Sequence, residues 1–307
     1  MQSVLNPRGP EAAAIAELGW IMFGGAALIC LGVAALVVMA LRGGGRWRGV
    51  VASERFVVAM GVLLPIVVLT GLLAYGLVLT GGRLGGTSPD ALRIEVVGEQ
   101  WWWRVRYLAD AADTAETANE LRLPVGRDVE LRLVSRDVIH AFWVPSLAGK
   151  VDMIPGRANR LRLHAAQAGV YRGQCAEYCG GPHAWMSFDV VALEGAAFDA
   201  WLAEHRRPAA APDSEAARAG QGVFFRAGCQ GCHAVRGTDA AGAIGPDLTH
   251  VGGRLSLGAA SMSNDPHNLR RWLHDNQHIK PGNRMPTFGF LEARDLDLLA
   301  AYLASLK

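Results

Sequence analysis

The sequence has almost no excess charge, because its 30 Lys and Arg residues are balanced by 28 Asp and Glu residues, a formal net charge of +2. Proteins that bind nucleic acids usually carry a basic excess or a basic stripe. The even balance argues against that class, and we expect no nucleic-acid partner. Charge is also lacking locally, since residues 18–41 and 56–80 contain no charged side chain.

These two uncharged segments are apolar, in a chain whose residues are 51% hydrophobic. A helix rises about 1.5 Å per residue, so each segment can cross a hydrocarbon core of roughly 30 Å. No small-residue cleavage site follows the first segment, which argues against a secretory signal. We therefore predict a transmembrane hairpin of two helices within residues 1–82, embedded in a lipid membrane.

The arginines near the two segments predict the orientation of the hairpin. Four of them crowd the short connection: Arg42, Arg46, Arg48 and Arg55. Arg8 and Arg83 stand nearly alone outside it. Short loops rich in arginine lie in the cytoplasm. We expect a multi-pass membrane protein, with both termini and everything after residue 81 in an external, periplasm-like region.

The region from residue 90 to 195 has the pattern of a β domain. Apolar residues alternate with polar ones in LRIEVVGEQWWWRVRY, VELRLVS, NRLRLHA and MSFDVVAL, with Gly, Pro, Asn and Asp between these stretches. Short strands at regular spacing, without a helical period, predict a sandwich or a barrel.

A loop between the last two strands, QCAEYCGGPHAWM, places Cys175, Cys179, His183 and Met186 close together. A disulfide would not need the histidine and the methionine at fixed offsets. Structural zinc usually takes a second cysteine pair or two histidines, and methionine is a poor zinc ligand. Thiolate, imidazole and thioether together select copper in an electron-transfer site. His140, at the end of a predicted strand, is the candidate second imidazole, and two cysteines indicate two bridged ions.

Three segments carry a resemblance to a known family: GEQWWWRVRY, VIHAFWVPSLAGKVDMIPGR and GQCAEYCGGPHAWM. With the hairpin, they strongly resemble subunit II of the haem-copper cytochrome c oxidases, over nearly the whole chain. The resemblance implies a cupredoxin-like domain with a binuclear copper centre, CuA. The implied copper ligands are His140, Cys175, Glu177 (through its carbonyl), Cys179, His183 and Met186.

The resemblance also implies roles around the copper. The side chain of Glu177 would bind a magnesium ion shared with subunit I; otherwise it is a solvated carboxylate. Trp101 aligns with an aromatic residue that admits electrons to the copper, although rings in a strand are more often core. The family often has a carboxylate at a proton channel, and Glu54 is nearby but several residues too early relative to Pro65.

A second external domain is predicted at residues 214–307. It follows a short helix and a Pro/Ala linker, which together occupy residues 196–213. Within this segment, residues 206–213 should form a loose coil. The segment FFRAGCQGCHAVRG contains Cys229, Cys232 and His233 in the order that attaches a c-type haem. The segments GPDLTHVGGR and IKPGNRMPTFGF resemble class I cytochromes c. This all-α family implies Met285 as the sixth iron ligand, and Met262 is the competing candidate.

The expected function is electron transfer in a respiratory terminal oxidase, a proton-translocating cytochrome-c oxidase. Cytochrome c or a cytochrome bc complex would reduce the haem c, which would reduce CuA and then the haem of subunit I, where oxygen is reduced. Subunits I and III are the expected partners. The alternative is a nitric oxide reductase with a similar subunit; a copper-delivery protein or a simple membrane anchor would leave the haem motif unexplained.

Overall fold

The computed structural model describes residues 3–81, 91–108 and 115–307. Its contacts divide the chain into two compact units. The hairpin unit is Ala13–Thr87, and the external unit is Met1–Ala12 together with Ser88–Lys307. The predicted boundaries at residues 82 and 90, and Arg83 of the orientation argument, lie outside the described residues.

Two helices of the described chain are long and apolar enough to cross a membrane, Pro10–Arg42 and Glu54–Gly81. The first, α1 (Pro10–Arg42), begins before the uncharged segment because Pro10 and Glu11 favour a helix start. The second consists of α3 (Glu54–Val58), a π turn (Ala59–Leu63) and α4 (Leu64–Gly81). The connection holds a short helix that the sequence did not predict, α2 (Gly45–Val51).

The π turn ends two residues before Pro65. Proline has no N–H to donate, and its ring collides with the carbonyl four residues earlier in a regular α-helix. A π turn is a common way to accommodate such a break. At the start of α3, Ser53 Oγ accepts a hydrogen bond from Phe56 N at 3.3 Å. Glu54 is exposed in the first turn of this helix, where the helix dipole favours a carboxylate.

The residues before the first span belong to the external unit. Arg8 N donates to Ser146 O at 2.7 Å, and Ala166 N donates to Arg8 O at 2.8 Å. Gly9 has no room for a side chain, since a Cβ there would lie 2.4 Å from a carbonyl oxygen of the β domain. The N-terminal segment is therefore fixed to the β domain by its backbone.

The β domain is a sandwich of two five-stranded sheets. The first contains, in spatial order, β3 (Ala115–Ala118), β2 (Trp102–Leu108), β1 (Leu92–Glu99), β5 (Val129–Ser135) and β8 (Asn159–Leu163). The second contains β4 (Glu120–Pro124), β10 (Ser187–Leu193), β9 (Gly169–Cys175), β6 (His140–Trp143) and β7 (Val151–Met153). Strand β1 runs parallel to β5, and β4 runs parallel to β10. This is the expected cupredoxin-like sandwich.

The interior of the sandwich follows the period-two alternation of its strands. In β5 the buried residues Val129, Leu131 and Leu133 alternate with more exposed ones. Aromatic rings fill the space beneath the loop of residues 174–186, with centroids 5.1 Å apart for Trp103 and Phe188. Trp103 is therefore a core residue, as rings in a strand usually are.

The C-terminal domain is helical, as expected, with a core of its own. Its helices are α6 (Glu215–Arg226), α7 (Pro266–Ile279) and α8 (Ala293–Ser305), and α5 (Gly195–His205) lies before the linker. Ser214 and Asp265 cap α6 and α7 through their side-chain oxygens. A small ribbon, β11 (Ser256–Leu257) with β12 (Met262–Ser263), is an addition to the all-α prediction.

The expectation of a loose coil at residues 206–213 is wrong for its first half. Arg236 donates to the carbonyls of His205 at 2.6 Å and Arg206 at 2.9 Å. Ala209 N donates to Arg236 O at 2.9 Å, and His250 Nε2 donates to Arg207 O at 3.0 Å. Composition alone misses this, because the groups that bind the linker lie far along the chain.

The helical domain packs against the second sheet. Contacts reach three neighbouring strands: Leu255 N to Glu120 Oε2 at 2.8 Å on β4, Ser256 Oγ to Asp189 Oδ2 at 2.7 Å on β10, and Arg172 Nη2 to Ala260 O at 2.8 Å on β9. Ser187 N also donates to Ala259 O at 3.3 Å. The two domains are thus parts of one compact unit.

His205, at the end of α5, predicts a pH dependence of stability. Its ring stacks on Trp201 with centroids 4.8 Å apart, and burial, together with His250 and Arg254, lowers its pKa to about 3. The unfolded chain takes up this proton near pH 6.5, so the stabilisation is complete above that pH and is lost as pH falls toward 3. The free energy of unfolding should fall by up to about 1.4 kcal/mol per pH unit.

The change that tests this is His205→Gln, which keeps a donor but cannot take up a proton near neutral pH. Melting temperatures followed by circular dichroism at pH 7 and pH 5 should show a smaller loss in His205→Gln than in the native chain. The matched control is His267→Gln, since His267 is exposed. Equal losses in all three proteins would contradict the assignment to His205.

Candidate copper and haem sites

The cysteine loop connects β9 and β10, the last two strands of the sandwich. It is closed by its own backbone, because Cys175 N donates to Met186 O at 2.9 Å. A 3₁₀ turn, Gly181–Trp185, carries His183. His140 is the first residue of β6, not the end of a strand as expected, and β6 pairs with β9 beside Cys175. Sheet pairing thus brings a distant imidazole to the loop.

All six predicted copper ligands meet at this loop. The sulfurs of Cys175 and Cys179 lie 3.8 Å apart. Cys175 Sγ is 3.9 Å from His140 Nδ1 and 3.2 Å from Glu177 O. Cys179 Sγ is 3.4 Å from His183 Nδ1 and 3.7 Å from Met186 Sδ. Sulfurs bonded to one ion at about 2.3 Å each can lie up to roughly 4.6 Å apart. The donor set therefore fits copper.

The two sulfurs are too far apart for a disulfide, in which the S–S length is about 2.05 Å. Both cysteines are buried, with exposures of 6% for Cys175 and 2% for Cys179. A hydrogen bond from Cys179 lowers the pKa of the Cys175 thiol to about 4, and the resulting thiolate raises the pKa of Cys179. A buried pair that shares one proton in this way is ready to exchange it for a cation.

His140 is held by a carboxylate that the sequence reasoning missed. Its Nε2 lies 2.8 Å from Asp137 Oδ1, which leaves Nδ1 free to face the sulfurs. The histidine is fully buried, and a Cβ on Gly98 would lie 2.8 Å from its ring. Asp137 also accepts a hydrogen bond from Gln100 N at 2.7 Å. The position of Asp137 three residues before His140 is the only sequence signal for it.

Trp101 is bonded to the cysteine loop, residues 174–186, which we call the copper loop. Its Nε1 donates to Cys179 O at 2.9 Å, and Gln100 Nε2 donates to the same oxygen at 2.8 Å. Trp101 is partly exposed, and its indole is bonded to the backbone of a predicted ligand. Glu177 is also exposed, with only its carbonyl turned to the sulfurs.

The haem motif forms a short 3₁₀ turn, Cys229–Gly231, after Gly228 in the left-handed conformation. His233 Nδ1 donates to Pro246 O at 2.8 Å, so Nε2 is the nitrogen that is left for a ligand. A Cβ on Gly245 would lie 2.5 Å from the imidazole ring, so only glycine fits there. This geometry fixes the imidazole ring and leaves Nε2 as the candidate ligand atom.

Both candidate methionines pack against the core of the helical domain. Met285 lies in the loop after α7, where its amide donates to Asn283 Oδ1 at 3.0 Å and its carbonyl accepts from Gln277 Nε2 at 3.1 Å. Met262 lies in β12, paired with Leu257. Two side chains thus shape the loop of Met285, whereas Met262 belongs to a ribbon.

The segment of residues 280–285, which we call the haem loop, contacts the copper loop. Lys280 Nζ donates to Trp101 O at 2.6 Å and to Trp185 O at 2.9 Å. Arg284 Nη2 donates to Gln100 Oε1 at 2.8 Å. Lys280 is 2% exposed, and burial lowers its pKa to about 7, whereas the three backbone carbonyls bonded to Nζ favour the protonated ammonium form. Nothing in the sequence indicated these contacts, which depend on how the two domains dock.

Comparisons with known proteins support the family assignment. The family models "Cytochrome C oxidase subunit II, periplasmic domain" and "Cytochrome c" match residues 108–193 and 217–307. The cytochrome c oxidase subunit 2 of Bacillus sp. (strain PS3) is 32% identical over 264 residues, covering 80% of this chain and 72% of the relative. That of Bacillus subtilis (strain 168) is 31% identical over 276 residues, covering 84% and 76%. This chain belongs to the cytochrome c oxidase subunit II family.

Other relatives match over shorter lengths. The cytochrome c oxidase subunit 2 of Alkalihalophilus pseudofirmus is 39% identical over 220 residues, covering 72% of this chain and 63% of the relative, so the match spans less than two thirds of that protein. The solved periplasmic domain of subunit II of Bradyrhizobium japonicum is 32% identical, covering 39% of this chain and 97% of the domain, with a TM-score of 0.36.

Membership of the subunit II family confirms the expected type of subunit and the expected types of its domains. The chain is an electron-transfer oxidase subunit of the cytochrome c oxidase subunit II type, anchored in a membrane with an external domain. The β domain is of the copper-carrying type, and the helical domain is of the haem c type. The individual ligands remain predictions that the geometry supports.

Replacement of Asp137 by Ala should weaken copper binding. Loss of the carboxylate leaves His140 without the partner that fixes its ring, and removal of such a partner typically costs about 10–100-fold in metal affinity. Competition with a chelator, followed by the visible absorption of the copper site, measures this loss. The control is Asp199→Ala, an exposed carboxylate on α5. Copper retention equal to that control would mean that Asp137 does not position His140.

Proposed function

We propose that this chain is the electron-accepting subunit of a respiratory terminal oxidase. Electrons pass from cytochrome c or a cytochrome bc complex to its own haem c, then to the binuclear copper, and then to haem in subunit I for reduction of oxygen coupled to proton translocation. The observation that carries the proposal is the direct contact between the haem loop and the copper loop, each beside a full set of predicted ligands.

At the copper site, Cys175 and Cys179 would bridge two ions, with His140 and His183 as the capping imidazoles. Met186 and the carbonyl of Glu177 would be the weaker outer ligands. Bound there, the copper pair supplies a one-electron carrier shared between two ions. The protein contributes a dry pocket, because His140, Cys179 and Met186 are at most 2% exposed.

At the haem site, Cys229 and Cys232 would form the thioether bonds, and His233 and Met285 would be the axial ligands. Nitrogen and thioether ligation raises the potential and leaves no open position, so bound haem c carries electrons and does not bind oxygen. The bond of His233 Nδ1 to Pro246 O fixes the imidazole ring whose Nε2 would hold the iron.

Trp101 would admit electrons to the copper. Its indole is bonded to Cys179 O and its carbonyl to Lys280 of the haem domain, so it lies in the contact between the two loops. A soluble cytochrome c would then deliver its electron to the haem of this chain, because the haem domain contacts the route to the copper. Trp101 would therefore admit electrons from the haem of the same chain.

The N-terminal segment supports the proposed orientation. Residues before the first span are bonded to the β domain and belong to the external unit, as expected for an N-terminus on the external side. With the arginine-rich connection in the cytoplasm, the external domains face the periplasm of a bacterial inner membrane. Subunits I and III would surround the hairpin, and Glu177 would help bind magnesium at subunit I. Glu54, in the first turn of α3, remains a candidate for the mouth of a proton channel.

The test of this function is the purified native complex, supplied with reduced cytochrome c and either oxygen or nitric oxide. We expect consumption of oxygen with uptake of protons from the cytoplasmic side. Consumption of nitric oxide without that of oxygen would instead assign the subunit to a nitric oxide reductase, the alternative that carries a similar copper subunit.

Cofactor content is a sharper prediction for the chain itself. We expect two coppers and one covalently bound haem per chain, because both ligand sets are complete. Metal analysis and a pyridine haemochrome assay measure them. Cys175→Ser and Cys179→Ser should each abolish the delocalised copper signal in electron paramagnetic resonance, since a shared electron needs both bridges. An unchanged signal in either variant, or haem that extracts into acidified acetone, would contradict the assignment.

The sixth iron ligand is predicted separately. Met285→Ala should remove the near-infrared sulfur-to-iron band and lower the haem potential, because the thioether is lost. Met262→Ala is the matched control, since both methionines pack on the same core. Loss of the band in the Met262 variant instead would reverse the assignment.

A further inference from the structure

Lys280 occupies an unusual place for a lysine. It is one of three lysines in the chain, beside Lys150 and Lys307, and it is almost fully buried where the helical domain meets the β domain. An ammonium group has three donors, and all three are used here by backbone carbonyls. Burial of a charge is unfavourable unless it is bonded in this way.

The three acceptors of Lys280 belong to three separate segments. Trp101 O and Trp185 O are on the β domain, and Gly258 O, at 3.0 Å, is in the helical domain itself. Trp185 immediately precedes Met186 and ends the 3₁₀ turn that carries His183. One ammonium group therefore joins the haem domain to the backbone of both Trp101 and the copper loop.

Two more contacts hold the same surfaces together. Arg284, next to Met285, donates to Gln100 Oε1, and Gln100 Nε2 donates to Cys179 O. Gly282 faces Pro182 of the 3₁₀ turn, where a Cβ would lie 3.7 Å from the proline ring. The haem loop is thus placed on the copper loop at several points, and Lys280 is the buried one.

We infer that Lys280 is the positioning residue that fixes the haem domain in its electron-transferring position on the copper loop. This inference rests on the proposed function. Without the ammonium group, three buried carbonyls lose their donor and the domains separate part of the time. Since electron transfer falls steeply with distance between the centres, the haem-to-copper step slows while each centre remains intact.

The test compares Lys280→Met with Lys150→Met in the full chain carrying both cofactors. Methionine keeps the length and the apolar stem but has no donor, and Lys150 is exposed on the β domain. After flash reduction of the haem, the rate of copper reduction should fall about tenfold or more in Lys280→Met, since a hydrogen bond to a charged group shifts an equilibrium by that factor. It should be unchanged in Lys150→Met.

A second readout reports docking without electron transfer. The amides of Ser187 and Leu255 donate across the domain contact, so their hydrogen exchange measures how often the domains separate. We expect faster exchange of both amides in Lys280→Met than in Lys150→Met. If Lys280→Met does not fold, Arg284→Gln, at an exposed residue, should show both effects in smaller degree.

The outcomes separate this inference from the proposed function. Absence of copper or covalent haem from the native chain would refute the proposed function. With both centres spectroscopically normal, equal rates in the Lys280 and Lys150 variants would overturn the inference alone. Faster amide exchange with an unchanged rate would overturn it as well, because docking would then not control the transfer.

Discussion

The buried pair of cysteine sulfurs is the constraint on which the rest of the external unit depends. Two thiolates 3.8 Å apart in a dry pocket repel each other unless protons or cations lie between them. The backbone bond from Cys175 to Met186 closes the loop around the pair, and pairing of β6 with β9 brings His140 beside it. The sandwich beneath, filled by Trp103 and its neighbours, keeps this arrangement rigid.

The haem domain is placed by this same loop. Its contacts reach the carbonyl of Trp185 and, through Gln100, that of Cys179, so the groups that shape the copper site also receive the neighbouring domain. A disturbance of the loop would therefore act on both the copper ligands and the docking. Conversely, Lys280 stabilises the loop from outside by binding its backbone, without contributing a ligand.

Much of the fold and of the site could be predicted because the signals are local. The apolar runs, the loop from Cys175 to Met186 and the haem motif at Cys229 each lie within one short stretch of sequence. Asp137 could have been identified from the sequence, because it lies three residues before His140. Lys280 could not have been identified in this way, because its role depends on tertiary docking of segments far apart in the chain. The linker was mispredicted for the same reason, since Arg236 and His250 bind its backbone from outside.

The fixed linker changes how the covalent connection between the two domains acts. A loose tether would raise the effective concentration of the haem near the copper, and its length would then set the rate of encounter. Here the bonds of Arg236 and His250 restrain the linker, and the domain contact itself sets the distance. For the proposed haem-to-copper transfer, the relevant quantity is therefore the fraction of time that the two domains are docked, which depends on buried hydrogen bonds and not on chain length. Fusion in this protein acts mainly by preorganising one contact surface.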